Sequence, residues 1–162
     1  MKILKDSVIS LYDKLNPLAD RLQGCNYVAF ISGETFKFTV DSTFSFDNLK
    51  DLFPEDDLAY SNFSLIKFID AKKEIDECIG FDNDEAHLFS PDGFELTKDK
   101  LKKMLSDQKE YWEIVFSFMP SSIKKVYKLD NVDCFLSCTF WNFCFVFLSD
   151  NEGLILYGSV ED

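Results

Sequence analysis

The stretch CFLSCTFWNFCFVFLSDNEGLILY, residues 134–157, is the densest apolar part of this 162-residue chain. Successive side chains along a strand point to opposite faces of a sheet. In the middle of the stretch both sets are apolar, with Phe143, Phe145 and Phe147 on one face and Cys144, Val146 and Leu148 on the other. Such a strand is usually covered on both faces. We therefore predict that it lies in the centre of a sheet.

Residues 150–153, with the sequence DNEG, follow this strand. They predict a tight turn, because Gly153 tolerates a positive φ. Residues 154–157 then return as the partner strand, and the rest of the chain is expected to cover this C-terminal hairpin.

The first part of the chain predicts a helix over residues 3–23. Apolar side chains recur there at helical spacing, namely Leu4, Val8, Tyr12, Leu15, Leu18 and Leu22. Pro17 predicts either a kink or the start of a second short helix. Gly24 is a typical residue at a helix end.

Residues 25–40 predict a second hairpin. Its first strand is residues 27–31, Ser32-Gly33-Glu34 is its turn, and residues 35–40 alternate between apolar and polar side chains. In that second strand Phe36, Phe38 and Val40 are expected to point inward. A strand with one solvent-exposed face is typically found near the edge of a sheet.

Residues 41–79 allow more than one interpretation. Asp47 could cap a short helix that Pro54 ends. Residues 63–69 could form a strand and residues 72–79 a helix that stops at Gly80; the interpretation we favour is one helix over residues 62–79.

Residues 97–119 predict a further helix, after a turn at Ser90-Pro91-Asp92-Gly93. Thr97 would cap it. The spaced apolar residues are Leu101, Met104, Leu105, Trp112, Val115, Phe116 and Met119. The helix could instead break near Gln108 and leave residues 111–118 as a strand. Residues 123–129 are predicted as a short strand or a helical turn. The expected fold is α+β: one domain over residues 1–162, mainly antiparallel sheet, covered by helices.

The charge and composition indicate how well the core is filled and which kinds of partner the protein would attract. Eighteen phenylalanines predict a well-filled core. The net charge is −12, and residues 41–95 hold four basic and fifteen acidic residues. A field of one sign repels nucleic acid and attracts basic partners, although acidity can also serve only to keep a phenylalanine-rich protein soluble.

The amino terminus and the cysteines indicate the compartment. No signal-peptide hydrophobic region follows Met1, and no stretch is long and apolar enough to cross a membrane. The five cysteines are Cys25, Cys78, Cys134, Cys138 and Cys144. They are expected to be free, buried thiols in a cytoplasmic protein.

Patterns typical of catalysis or metal binding are weak in the sequence. His87 is the only histidine, and no nucleophile pairs with it in any known arrangement. Cys134 and Cys138 lack zinc-site spacing, and Asp82-x-Asp84 does not continue as a calcium loop. We therefore expect no enzyme activity, no cofactor and no metal.

A group of lysines and one tryptophan are expected to have structural roles. Lys98, Lys100, Lys102, Lys103 and Lys109 are expected to form the solvated face of a helix. Trp141 is expected to be buried.

The chain resembles the small acidic immunity proteins of bacterial polymorphic toxin systems, including those of contact-dependent growth inhibition. The residues that carry this resemblance are the acidic runs at 55–57 and 82–85 and the aromatic hairpin WNFCFVFLSDNEGLILYG. It implies a non-catalytic cytoplasmic α+β protein. Many of these proteins use an acidic surface to block a basic nuclease toxin.

The predicted partner-binding residues are therefore acids in expected loops with two nearby aromatic anchors: Glu55, Asp56, Asp57, Tyr60, Phe81, Asp82, Asp84 and Glu85. The partner is expected to be a cognate toxin domain, with no nucleic acid and no membrane bound. The alternative function is a nucleic-acid-mimicking inhibitor of a DNA-binding defence enzyme. A small enzyme with an unrecognised carboxylate site is a third, less favoured hypothesis.

Overall fold

The computed structural model describes residues 4–5, 11–23, 28–38, 63–80, 98–130 and 141–161. The helices and strands of this part of the chain are β1 (Leu4–Lys5), α1 (Leu11–Leu22), β2 (Val28–Lys37), β3 (Phe63–Ile66), α2 (Phe68–Ile79), α3 (Lys98–Phe118), β4 (Lys125–Leu129), β5 (Asn142–Leu148) and β6 (Glu152–Glu161). The strands form one antiparallel sheet in the order β1-β2-β6-β5-β4-β3. The predicted α+β fold class is confirmed.

The C-terminal hairpin lies at the centre of this sheet, as predicted. Phe145 is opposite Leu156, and Leu148 is opposite Gly153. The amide of Ser149 donates to the carbonyl of Glu152 at 2.8 Å and closes the turn. Because β6 also pairs with β2 and β5 also pairs with β4, both strands have a hydrogen-bonded neighbour on each side.

Both faces of the central strands are buried, which also confirms the prediction. One face packs against the three helices. Its buried side chains include Phe143, Phe145, Phe147, Leu154, Leu156 and Val160 from the hairpin. The opposite face holds a second buried cluster of Phe36, Phe38, Leu129, Cys144, Val146, Leu148 and Ile155. Trp141 is buried as well, at 7% exposure.

The predicted hairpin at residues 25–40 is wrong. Residues 28–37 form one continuous strand that pairs with β6 from Val28–Glu161 to Lys37–Glu152. Gly33 lies in the middle of this strand. A Cβ at this position would lie 2.5 Å from the Ile155 carbonyl oxygen and 2.6 Å from Leu11 Cδ2, which explains why the residue is glycine. The glycine permits close packing of α1 on the sheet and makes no turn.

The predicted helix at residues 3–23 begins later, at Leu11. Leu4 lies in β1, which pairs with the end of β2. Helix α1 then continues through Pro17 to Leu22. It buries Leu11, Leu15, Leu18 and Ala19, one face of an amphipathic helix.

The prediction of a single helix over residues 62–79 is also wrong, and the alternative of a strand followed by a helix is correct. Phe63–Ile66 is strand β3 and Phe68–Ile79 is helix α2. The alternative break near Gln108 is wrong, because α3 runs without interruption from Lys98 to Phe118. Residues 125–129 are a strand. The predicted helix after Asp47, the turn at residues 90–93 and the Thr97 cap lie outside the described residues.

Candidate functional site

The eight predicted partner-binding residues lie outside the described residues, in the segments 39–62 and 81–97. These are Glu55, Asp56, Asp57, Tyr60, Phe81, Asp82, Asp84 and Glu85, and their role remains a prediction. His87, Cys134 and Cys138 also lie outside. The first segment joins β2 to β3 and the second joins α2 to α3, so the unit β3–α2 separates them.

The acidic side chains of α2 are largely neutralised by lysines. Lys72 Nζ is 2.5 Å from Asp76 Oδ2, and Lys73 Nζ is 3.7 Å from Glu77 Oε1, each one helical turn apart. Glu74 Oε2 lies 2.5 Å from Nζ of Lys128 on β4. Helix α2 therefore adds little to the negative field of the middle of the chain.

The excess acidity is instead concentrated on either side of β3–α2. Residues 63–80 hold three basic and four acidic residues. Residues 41–62 and 81–95 together hold one basic and eleven acidic residues, a net charge of −10 out of −12 for the chain. The sequence thus places almost all the attraction for a basic partner in these two segments.

A hydrogen-bond network around Asp76 joins α2 to α3. Trp112 Nε1 donates to Asp76 Oδ1 at 2.6 Å, while Lys72 bonds the other carboxylate oxygen. Gln108 Nε2 donates to the backbone carbonyl of Asp76 at 2.7 Å. The Lys72 ammonium also lies 5.0 Å from the centre of the Trp112 ring, within cation–π range. These contacts fix the distance between the two helices.

Helices α2 and α3 lie side by side and antiparallel. Phe68, at the start of α2, stacks on Phe116 near the end of α3, with ring centroids 6.5 Å apart. Gly80, just after α2, lies against Met104 and Gln108, and a Cβ on it would approach Met104 Sδ to 2.8 Å. The lack of a side chain at Gly80 lets the helices stay close there.

A groove of about 380 Å³ runs along this helix pair. Its walls are Ile69, Lys72, Lys73, Asp76, Glu77, Gly80, Met104 and Gln108. Both helices also carry exposed apolar side chains, of which Ile69 lines the groove: Ile69 at 64% exposure, Leu105 at 54%, Phe116 at 52% and Leu101 at 42%. We name these four residues the α2/α3 stripe.

The stripe was missed at the sequence level. Leu101, Leu105 and Phe116 belong to the predicted apolar spacing of α3, which suggests burial. Of that predicted set the structure buries Trp112 and Val115, together with the neighbouring Tyr111, and leaves the two leucines and Phe116 exposed. Leu101 and Leu105 lie among five lysines, and this mixture of exposed charge and apolar residues was the available signal.

The lysines of α3 face solvent, as expected, apart from the half-buried Lys100. Lys103 pairs with Asp107 at 3.1 Å and Lys109 with Glu113 at 3.6 Å. Lys98 and Lys102 make no ion pair within the described part of the chain. Residues 98–109 hold five lysines and two aspartates, so this half of α3 is locally basic.

Ionic contacts also hold α1 against α3. Arg21 Nη2 donates to Glu110 Oε2 at 2.5 Å, and Arg21 Nε lies 3.6 Å from Asp107 Oδ1. The hydrogen bond to Glu110 raises the pKa of Arg21 despite its partial desolvation. Asp107 itself is buried, at 5% exposure, and has Lys103 as its second cationic neighbour.

Burial keeps the thiol of Cys144 unreactive. Cys144 is buried and in no disulfide, and burial raises the pKa of its thiol, so the thiol stays neutral. Cys78 is half-buried. Burial likewise raises the pKa of Tyr111, whose hydroxyl has no hydrogen-bond partner among the described residues. Within the described ranges no three potential metal ligands cluster together. In the same ranges no helix combines the length and apolarity needed to span a bilayer.

Comparison of the chain with protein-family models and with curated proteins gave no match.

Proposed function

We propose that the chain is a bacterial immunity protein: a cytoplasmic, non-catalytic inhibitor that binds a cognate toxin domain and occludes its active or substrate-binding site. The toxin domain is a basic nuclease. The proposal rests on one observation, the separation of charge along the chain. Ten of the twelve net negative charges belong to residues 41–62 and 81–95, while three of the four acids of α2 pair with lysines.

This distribution suits an inhibitor of a phosphate-binding enzyme. A nuclease active site must carry positive charge to bind phosphates, and a local excess of carboxylates over basic residues attracts it. Complementary charge speeds diffusional encounter, and close charge pairs can lock the complex. Occlusion of the site is sufficient for inhibition and requires no chemistry from the inhibitor.

The sheet and its three helices would then act as a scaffold. The two acidic segments are tied to it at the ends of β2, β3, α2 and α3. Binding residues commonly lie on connections that a rigid scaffold positions. Glu55, Asp56, Asp57, Asp82, Asp84 and Glu85 are the proposed charged contacts, with Tyr60 and Phe81 as aromatic anchors.

The proposal is tested by reversing two acids, Asp56→Lys together with Asp57→Lys. The binding probe is the C-terminal domain of the protein encoded by the adjacent upstream reading frame. We expect the affinity measured at low salt to fall by about tenfold or more and its salt dependence to flatten, because fewer charges steer the encounter. The melting temperature should stay nearly unchanged, and the variant should no longer inhibit the nuclease activity of the probe.

A matched control changes the net charge by the same amount elsewhere. Asp20→Lys together with Asp150→Lys alters two exposed acids outside residues 41–95. This control should retain near-normal affinity. Equal losses in both double variants would mean that only the net charge matters, and an unchanged affinity in the Asp56/Asp57 variant would place the interface elsewhere. Either result contradicts the proposed interface.

A further inference from the structure

We infer that the α2/α3 stripe and its groove form a second docking surface, which binds an acidic amphipathic helix from a partner protein. The residues of this surface all belong to the described part of the chain, and none of them lies in the proposed toxin-binding segments 41–62 and 81–95. The two proposed surfaces are therefore independent.

The shape of the surface matches a helix. Leu101 and Leu105 are one helical turn apart, and Phe116 lies three turns further along the same flank of α3. At about 1.5 Å per residue these side chains span about 22 Å, the length of roughly four helical turns. The groove of about 380 Å³ gives a concave seat between α2 and α3. Amphipathic helices bind such grooves through apolar residues spaced three or four apart.

The large apolar side chains of this surface expose an unusually high fraction of their area to solvent. Ile69, Leu105 and Phe116 are each more than half exposed, and they lie on two neighbouring helices. Scattered apolar residues are normal on a surface, but a row beside a groove is typical of an interaction site. Met104 and Gly80 add apolar atoms to the lining of the groove.

The charge of the surface selects an acidic occupant. Residues 98–109 carry a net charge of +3 in a chain of net charge −12. Lys98 and Lys102 are exposed and make no ion pair within the described residues, and both lie on the flank of α3 that carries Leu101 and Leu105. A helix with leucines on one face and glutamates beside them would complement both features.

The groove is rigid before anything binds. Trp112 and Gln108 bond to Asp76 across the helix pair, and Phe68 stacks on Phe116. A preformed surface loses less conformational entropy on binding, so a small interface can still be specific.

Two other occupants fit less well. A basic amphipathic helix can bind an anionic membrane, but a flat lipid surface does not fill a groove, and the overall charge of −12 opposes it. A second copy related by twofold symmetry would place the same locally basic flank of α3 on both sides of the contact. A partner helix with acidic residues satisfies the groove and the charge together.

The test uses a fluorescent synthetic peptide of about four helical turns. The probe has leucines at every third or fourth position and glutamates on the rest of its surface. The comparison peptide replaces each glutamate with glutamine, because a lysine peptide would also be attracted to the acidic segments 41–62 and 81–95. In fluorescence anisotropy at low salt, the glutamate peptide should bind the full chain at least about tenfold more tightly than the glutamine peptide.

Two variants locate the binding. Leu105→Glu introduces a charge into the stripe, and Lys102→Glu reverses a flanking charge; each should weaken binding of the glutamate peptide by about tenfold or more. Val28→Glu is the matched control, since Val28 on β2 is exposed to the same degree, 52% against 54% for Leu105. The control should bind normally, and all three variants should keep the circular-dichroism spectrum and melting temperature of the parent protein.

Several results would overturn the inference. Equal binding of both peptides would show no preference for acidic helices, and full binding by Leu105→Glu would exclude the stripe. Failure of the glutamate peptide combined with Leu105-dependent binding of phosphatidylglycerol vesicles would assign the surface to a membrane. A dimer in sedimentation experiments that Leu105→Glu dissociates, again without peptide binding, would assign it to a second copy.

Discussion

Gly33 carries more structural constraint than its sequence context indicates. It lies opposite Leu156 in the middle of β2, where a Cβ would come within 2.5 Å of the Ile155 carbonyl oxygen and 2.6 Å of Leu11 Cδ2. Backbone cannot move aside as a flexible side chain can. We expect Gly33→Ala to lower the free energy of unfolding by about 2 kcal/mol, the usual cost of forcing an extra methyl into a packed site. Urea unfolding followed by tryptophan fluorescence measures this change.

Gly80→Ala provides the control for the Gly33 prediction. Its added methyl would also meet close neighbours, but these are side-chain atoms of Met104 and Gln108 and none belongs to the backbone. The backbone at Gly80 has φ −84° and ψ −2°, which alanine adopts readily. We expect a change below about 1 kcal/mol. If both substitutions cost the same, close approach to the backbone is not what requires glycine at position 33.

At the scale of the elements, Arg21 is the ionic connection between α1 and α3. It is hydrogen-bonded to Glu110 and lies near the buried carboxylate of Asp107. Removing one cation from a buried acid is costly, because the remaining charge is less well compensated. We expect Arg21→Ala to reduce the free energy of unfolding by about 1.5 kcal/mol, with Lys103 still pairing Asp107. Chemical denaturation of the variant measures the loss.

The control for Arg21 is an ion pair within one helix. Lys109 and Glu113 lie 3.6 Å apart, and their side chains are 77% and 67% exposed. Exposed pairs contribute little, so Lys109→Ala should change the stability by less than about 0.5 kcal/mol. A double-mutant cycle of Arg21→Ala with Asp107→Asn should reveal coupling between the two sites. Additive effects would mean that Arg21 stabilises α1 through its packing alone.

The sequence predicts those elements best whose signals are local. The hairpin of β5 and β6 follows from two apolar runs around residues 150–153, and both strands are found. Strand β6 is longer than predicted, and Gly153, which is predicted in the turn, lies in the strand. The prediction for residues 28–37 is wrong, because Ser32-Gly33-Glu34 is a sequence that suits a turn but also suits a strand that packs tightly against a helix. Strand β3 is only four residues long and has little periodicity, so a merged helix matched its apolar residues equally well.

The candidate surfaces depend on tertiary structure and could be predicted only in part. The charge imbalance of residues 41–95 is visible in the sequence, but the pairing of Glu74 with Lys128 joins residues on α2 and β4 that are distant in the chain. Helical spacing places Leu101 and Leu105 on one flank of α3, yet it cannot indicate which flank faces the sheet. Burial of Tyr111 and Val115 decides that question, and it leaves the two leucines exposed.

At the scale of the whole molecule, stability should be greatest in the centre of the sheet and should fall towards its edges. Strands β5 and β6 have hydrogen-bonded neighbours on both sides, and both of their faces are buried. The outermost strands in the described sheet are β1, with two residues, and β3, with four. Amides exchange through local opening where buried contacts are few and only through global unfolding where they are many.

Hydrogen–deuterium exchange followed by mass spectrometry can measure this order. We expect peptides from β5 and β6 to exchange most slowly, since their opening requires disruption of two strand pairings and two buried clusters. Peptides from β3 should exchange faster by about tenfold or more, because β3 has one partner strand and an exposed Leu65 at 65%. The comparison must be corrected for intrinsic amide rates. If β3 were protected as strongly as β6, the sheet would open as a single unit, and the C-terminal hairpin would not be the most stable part of the fold.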